Sequence, residues 1–296
     1  MIKDIKMHSQ FLPVEYNNEP IVLIAGEGRY PALISEKIKE KAIPLKLISF
    51  IDQTDPALIQ SFDVRDHQSL HVGQLSKILD SIKTFQCPYV IMAGKINSHL
   101  LFKGMNPDAK MQDLLSSIQC HNAETIFGAF VQEIEAIGKT VLDARSFLDE
   151  HLAKEGCMTG GTIQVQPNHI EYGQKMVQKI AKLNIGQGIV TRKNTVLAVE
   201  AYEGTNEMLK RVRDFKTDAL VFFKTIKQNQ DHRFDVPIFG IKTLELMIKS
   251  NIKTAVLETD SVIILDKEAI INHAKANQVQ LIGVDSNHFS KGTINL

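Results

Sequence analysis

The chain has 296 residues, 34 of them basic and 34 acidic, so its formal net charge is zero and no global electrostatic pull favours nucleic acid or an anionic membrane surface. Hydrophobic residues make up 44%, enough to build true cores, and the length suggests two domains at ~150 residues each. Three cysteines, Cys87, Cys120 and Cys157, fall in no metal-ligand or redox spacing, which suits a reducing compartment and packing roles and excludes a disulfide framework.

The opening stretch, "MIKDIKMHSQFLPVEYNN", scatters Lys, Asp, Glu and His and holds no continuous apolar core, so it does not read as a secretory signal. Residues 1–19 are expected to form an N-terminal extension, either a tail or a short arm on a partner subunit. No later apolar run approaches the ~18 residues of a membrane span, and a cytoplasmic protein is expected. Next, "EPIVLIAGEGRYPALISEKIKEKAIPLKLISF" starts as a buried strand, breaks at Gly26-Glu27-Gly28 and turns amphipathic. A strand that stops at glycines and feeds a helix places uncapped backbone N–H groups and a positive dipole end where an anion can sit. The third glycine of the dinucleotide fingerprint is missing, Pro31 or Ala32 standing in its place, and no Walker lysine follows. Two readings therefore stay open, a tight strand-to-helix turn and a phosphate or nucleotide site. Pro31 fits the first helical turn, where its missing N–H costs nothing.

Further on, "PLKLISFI" reads as a strand. "HQSLHVGQLSKILDSIKTFQ" reads as a helix through Leu75, Ile78, Leu79 and Ile82. "PYVIMAGKI" is a strand ending at Ala93-Gly94-Lys95. "AETIFGAFVQEIEAIGKTVLDARSFL" predicts a helix to about Ile137, a turn at Gly138, a short strand around Val141 and another helix. Alternating strands and helices imply a parallel, doubly wound sheet, so residues 20–155 are read as a Rossmann-like domain.

Around "KEGCMTGGTIQVQPN" the pattern lapses into small and polar residues, and the second domain is placed at 156–296. It opens with a helix carrying Met176, Ile180 and Leu183. "IGQGIVTRKNTVLAVEAYEGTNEMLKRV" then predicts a hairpin turning at Arg192-Lys193-Asn194 and a Glu203-Gly204-Thr205 corner that starts a helix. "ALVFFKTIK", "TAVLE", "SVIILD" and "VQLIGV" read as strands, and "IKTLELMIKS" and "KEAIINHAKANQ" as helices. The whole is a mixed α/β sheet domain.

Polar groups concentrate at strand ends and corners of this second domain, where α/β proteins build sites. Glu200 and Glu203 flank the hairpin's end, and Thr205 can cap the helix that follows. In "FFKTIKQNQDHRFDVP", Lys224, Lys227, His232 and Arg233 surround Asp231 and Asp235, cations suited to phosphates and carboxylates suited to a divalent metal. Pro237 stiffens that loop.

On "IVLIAGEGRYP", "MAGK", "IGQGIVTRKNTVLAVEAYEGTNEML", "FFKTIKQNQDHRFDVPIFGIKTLELM" and "ILDKEAIINHAKANQVQLIGV", in that order, the chain from about residue 20 to 285 resembles the two-domain UDP-2,3-diacylglucosamine pyrophosphatase family. This type is distinct from the metallophosphoesterases that perform the same step. The resemblance implies a lipid A pathway hydrolase that uses magnesium, with manganese as an alternative, to split UDP-2,3-diacylglucosamine into UMP and 2,3-diacylglucosamine 1-phosphate, lipid X. It implies catalytic roles for Asp235, Arg233 and Lys224, metal ligation by Asp235 and Glu203, and substrate contacts from Gly26, Glu27, Gly28, Arg29, Lys95, Gln187, Thr191, Gly204, Thr205 and Lys227. It also implies a homodimer and transient contact with the inner-membrane surface. Two departures remove carboxylates: Asn206 stands where the family has Asp, and "CHNAETIF" replaces an acidic helix start.

Without a Ser/His triad, the chemistry expected is metal-assisted attack of water on a phosphorus, with cations stabilising the phosphoryl oxygens. The lost carboxylates keep a second reading alive, a non-catalytic binding protein for the same UDP-sugar lipid. A nicotinamide-dependent oxidoreductase is argued against by the missing glycine and by the lack of a ribose-binding acid, Asp52 being the nearest.

Overall fold

The computed structural model describes residues 9–96, 107–120, 122–227 and 230–285. The start of the N-terminal extension, His121, and Gln228 and Asn229 of the polar loop lie outside the described residues. The chain divides into two compact units between Asp149 and Glu150, except that Asp231–Asp235 belongs with the first.

In the first unit five parallel strands, β1 (Ile21–Ala25), β2 (Leu45–Phe50), β3 (His67–Leu70), β4 (Tyr89–Ala93) and β5 (Thr140–Val141), lie in the order β3-β2-β1-β4-β5. Central β1 is buried at every position, Ile21 pairing with Leu45 on one side and Tyr89 on the other. A continuous apolar strand is what a sheet covered on both faces requires. Around it run α1 (Arg29–Glu40), α2 (Pro56–Gln60), α3 (Leu75–Thr84), α4 (Ala109–Ser117) and α5 (Ala123–Ala136). Helix α1 buries Tyr30, Leu33, Ile34 and Ile38, and α3 buries Leu75, Ile78, Leu79 and Ile82, each a single apolar stripe at helical spacing. Because the order reverses between β1 and β4, the carboxyl ends of those two strands form the topological switch point where such sheets take ligands.

Three local expectations change. The stretch from His67 begins as strand β3, in register with Leu47–Phe50, and turns helical only at Leu75. Beyond β5 the expected helix is replaced by turns and one 3-10 turn at Asp149–His151. Phe147 there has φ +69°, and Leu142, Ala144, Phe147 and Leu148 are all buried, a pattern no single helix face provides. The described part of the extension is anchored: Tyr16 packs edge-on against Tyr89 and Phe147, and the Gln10 N–H donates to Asp149.

The second unit holds a six-stranded mixed sheet, β6 (Gly156–Cys157), β13 (Gln280–Val284), β11 (Ile252–Glu258), β9 (Leu220–Lys224), β7 (Gly188–Arg192) and β8 (Thr195–Val199), in that spatial order. Strands β13, β11 and β9 are parallel; β6 and β7 run against them, and β8 folds back on β7 through the two-residue turn Lys193-Asn194. Lys193 has φ +50°, the left-handed backbone that hairpin turns of this length require. A short parallel pair, β10 (Ile238–Phe239) with β12 (Ile263–Ile264), lies beside it. Four helices cover the sheet: α6 (Pro167–Lys182), α7 (Thr205–Arg213), α8 (Ile241–Lys249) and α9 (Lys267–Ala276). A Cβ on Gly173 of α6 would lie 2.1 Å from the Phe223 ring, so the glycine lets α6 settle onto β9. No helix among the described residues is long and apolar enough to cross a membrane.

Candidate functional site

At the switch point of the first unit, two glycine motifs explain each other. The Gly26 N–H donates to Ala93 O (2.8 Å), and Glu27 and Lys95 exchange backbone hydrogen bonds at 2.8 and 3.0 Å. A Cβ on Gly26 would sit 2.6 Å from Lys95 O, and one on Gly94 2.7 Å from Pro31 Cγ and 2.9 Å from Glu27 O. "AGEG" and "AGK" are therefore two faces of one close backbone approach. Gly28 has a different reason. It precedes α1 with φ 101° and ψ −179°, no side chain caps the helix, and nothing lies within 4 Å of where its Cβ would be. The start of α1 thus presents backbone and positive dipole to open space. Arg29 does not reach forward from it: its guanidinium forms a bidentate pair with Glu36, at 2.6 and 2.8 Å.

Ala144 ties this turn to the Asp231–Asp235 segment. The buried Tyr30 hydroxyl, in the first turn of α1, donates to Ala144 O, while the Ala144 N–H donates to His232 O at 2.8 Å. Phe234 stacks on Phe127 of α5, with ring centroids 5.9 Å apart. Arg233 grips Asp231 through two nitrogens (2.9 and 2.7 Å) and Glu135 through a third (2.6 Å). The Arg233 bond holds the Asp231 carboxyl below its usual range. Asp235 is half-buried, its N–H turned back to Asp231 O at 3.0 Å. Burial, reinforced by the Arg145 charge, keeps His232 below the ordinary histidine range, and its Nδ1 has no hydrogen-bond partner. Arg233, expected on a phosphate, instead has two carboxylate partners and fixes the shape of the segment carrying Asp235.

In the second unit the polar residues gather at the carboxyl edge of β9. Lys224 pairs in register with Gly188, and Glu200 follows the end of β8 at the same level, its N–H donating to Gly188 O (2.8 Å). The Lys224 ammonium, almost fully buried, donates to Thr205 Oγ1 at 2.8 Å and stands 3.5 Å from Glu200 Oε2. The Thr205 hydroxyl donates to Glu200 Oε1 at 2.7 Å. Thr205 opens α7 behind Gly204, which has φ 79° and ψ 169°, no side-chain cap, and open space at its Cβ position, as at Gly28.

The loop leaving β9 is pinned from below. Buried Glu258, at the end of β11, accepts from the Thr225 hydroxyl and from the Ile226 N–H (3.2 Å). Gln187 Nε2 and the Lys227 N–H both donate to Gln230 Oε1, at 2.7 and 2.8 Å. Gln187 and Lys227 therefore belong to this edge, whereas Thr191 does not: it pairs with Val221 deeper in the sheet and is fully buried, with an unpartnered hydroxyl.

Glu203, expected to ligate metal, is bonded to Arg211 at 2.5 Å. Its own backbone N–H, then Arg211, holds its carboxyl below the usual range. Asn206 Oδ1 accepts from the Thr243 hydroxyl at 3.3 Å, tying α7 to α8. Asn122 caps α5 by accepting from the Thr125 N–H at 2.9 Å. Among the described residues no group of three or more His, Cys, Asp and Glu is arranged to hold a metal ion. Open hollows of about 490 and 540 Å³ lie at the opposite edge of this sheet, around Leu220 and Asn251 and around Val279 and Gln280. Of the four lysines lining them, Lys249 and Lys275 stand in the last turns of α8 and α9, where cations complement helix dipoles.

The sequence reading noted Glu200 beside Glu203 without assigning it a role, and missed Glu258 altogether. The signal for Glu258 was present as a lone acid ending the apolar run "TAVLE". Comparison with known proteins matches residues 20–151 to the LpxI N-terminal domain and residues 154–282 to the LpxI C-terminal domain. A curated relative, the UDP-2,3-diacylglucosamine pyrophosphatase LpxI of Caulobacter vibrioides, is 27% identical over 278 residues, covering 89% of this chain and 96% of the relative.

Proposed function

The chain belongs to the LpxI family, both of whose domains it carries, and on that premise we propose that it hydrolyses the diphosphate of UDP-2,3-diacylglucosamine in lipid A synthesis, releasing UMP and 2,3-diacylglucosamine 1-phosphate. The observation that carries this reading is the meeting at Ala144 of the uncapped α1 turn and the segment holding Asp235. An anion acceptor and a carboxylate-bearing segment are thereby joined within one unit.

Hydrolysis of a phosphoanhydride asks for positioning and for stabilisation of charge on phosphoryl oxygens, which hydrogen-bond donors held in place can give. In this reading the backbone at Gly26–Gly28 and Lys95 receive the nucleotide end of the substrate. Asp235 orients the attacking water, with Arg233 holding its segment in shape. Lys224, with Gly204 and Thr205 beside it, donates to a phosphoryl oxygen, and Gln187 and Lys227 shape the adjoining loop.

Magnesium is commonly held by one or two carboxylates together with substrate phosphate oxygens, and one half-buried carboxylate, Asp235, fits that donor set. Glu203 is engaged by Arg211 and drops out of it. Bound there, Mg²⁺ or Mn²⁺ would polarise phosphoryl oxygens. The reading also includes a cytoplasmic homodimer that meets the inner-membrane surface, since the substrate carries two acyl chains.

The test is incubation of the purified protein with UDP-2,3-diacylglucosamine in Mg²⁺, Mn²⁺ or EDTA. UMP and the lipid monophosphate are expected with metal. Tight binding without either product would make the chain a binding protein instead.

A further inference from the structure

The cluster at the carboxyl edge of β9 has a centre that none of the substrate contacts named above includes. Glu200 is wedged into place by glycines: a Cβ on Gly186 would fall 1.9 Å from Glu200 O, and one on Gly188 2.4 Å from Glu200 Oε2. The motif "IGQG" thus exists to let the backbone and carboxylate of Glu200 lie flat against the start of β7. Its two oxygens then divide their work. Oε1 accepts the Thr205 hydroxyl at 2.7 Å, and Oε2 faces the Lys224 ammonium at 3.5 Å. A hydroxyl has one proton to give, so Thr205 donates to Glu200 and accepts from Lys224, at 2.8 Å, and the direction of the chain Lys224 to Thr205 to Glu200 is set.

Burial sharpens the consequence. The side chains of Lys224 and Glu200 are only 7% and 14% exposed. Among the described residues Glu200 is the only carboxylate that pairs with Lys224, so its loss leaves the buried lysine without an ionic partner. Of the three ammonium protons, Thr205 and Glu200 take two, which leaves one for an anion oxygen.

We infer that Glu200 is a positioning residue for the reaction: it fixes Lys224 and Thr205 in place at the start of α7, so that the remaining Lys224 N–H is aimed at a phosphoryl oxygen. This rests on the hydrolase reading above, in which Lys224 touches the substrate. A merely structural ion pair would show up in melting temperature and leave turnover alone, so the two roles separate experimentally.

The experiment is a double-mutant cycle with Glu200→Gln, Lys224→Met and both together, following kcat, KM and melting temperature on the UDP-lipid. Glutamine keeps the size of the side chain and an acceptor oxygen for Thr205, while removing the charge and replacing the oxygen that faces Lys224 by an amide NH2. Glu200→Gln is expected to lower kcat about 100-fold with little change in KM, and the double variant to be no slower than Lys224→Met, because Glu200 acts through Lys224. Wild-type kcat in Glu200→Gln, or losses that multiply in the double variant, would overturn the inference. If Glu200→Gln does not fold, Glu200→Asp keeps the charge but draws it back, and about a tenfold loss of kcat is expected; unchanged kcat there overturns it as well. Should the wild-type protein bind UDP without hydrolysing the lipid, the hydrolase reading fails by itself, and the same cycle is read in the Kd for UDP. A Kd raised in Glu200→Gln and not raised further in the double variant then supports the role of Glu200, and additive effects refute it.

Discussion

Substituting Gly28 with alanine separates the two readings of the first turn. Its φ of 101° and ψ of −179° lie in a region open essentially to glycine alone, so a side chain there stores about 1–3 kcal/mol of backbone strain. Alanine also stiffens the unfolded chain, which offsets roughly 0.4–1 kcal/mol of that. Nothing lies within 4 Å of the new methyl, so no clash adds to the sum. A net loss of about 1–2 kcal/mol corresponds to a melting temperature lower by about 2–8 °C for a domain of this size. Gly26→Ala is the control of opposite kind: its methyl would meet Lys95 O at 2.6 Å and must force open the Glu27–Lys95 bridge, giving a larger fall in melting temperature. If the diphosphate or nucleotide sits against the α1 turn, the Gly28 methyl occupies ligand space, and KM for the UDP-lipid rises about tenfold or more at a temperature where both proteins are folded. Thermal melting and steady-state kinetics on the same preparations decide it. Lowered melting with unchanged KM would refute the ligand role and leave the turn as architecture only.

Asp235→Asn removes one carboxylate charge from a segment held by other contacts, so melting should stay within a few degrees while kcat falls about 1000-fold; near-normal turnover removes Asp235 from the chemistry. His232, held below the usual histidine range by burial, binds its proton less readily folded than unfolded. The stability it contributes is therefore intact above the unfolded value of about 6.5 and is lost as pH falls from there toward the folded value. His232→Gln should flatten the pH dependence of melting temperature below about pH 6.5, and an unchanged slope refutes the assignment. Asn206→Asp introduces the carboxylate that the resemblance implies at this position while keeping an acceptor for Thr243, so the protein should fold normally and need less Mg²⁺ for half-maximal activity. An unaltered metal requirement places residue 206 outside the metal site.

Much of the fold was legible because its signals are local. An unbroken apolar strand, a glycine turn and a stripe at helical spacing each report on a few neighbouring residues, and β1, α1 and α3 follow from them. What was not legible depends on distant partners. His67–Leu70 looks like the start of a helix until β2 claims it as an edge strand, and the segment after β5 is irregular because its apolar residues serve several neighbours at once. The site divides the same way. The resemblance singled out Asp235, Lys224 and the glycine turns as candidates, but residue types could not say that Arg233 would be taken by Asp231 and Glu135, or Glu203 by Arg211. Opposite charges pair wherever the fold brings them within reach, and that reach is a tertiary fact.

The two helix starts at which the resemblance implies lost carboxylates, at Asn206 and around Asn122, bear on the same distinction between charge and geometry. Asn122 caps α5, and Asn206 takes the Thr243 hydroxyl, both hydrogen bonds that an aspartate oxygen could make as well. A substitution that preserves geometry and deletes charge leaves folding untouched and acts where charge is needed, at a metal or against a cation. Glu203 is bound to Arg211 and Asp231 to Arg233, while the charge beside Lys224 is that of Glu200. In the proposed reaction one carboxylate of each unit, Asp235 and Glu200, has a named role, and single substitutions at 235 and 200 test those roles directly.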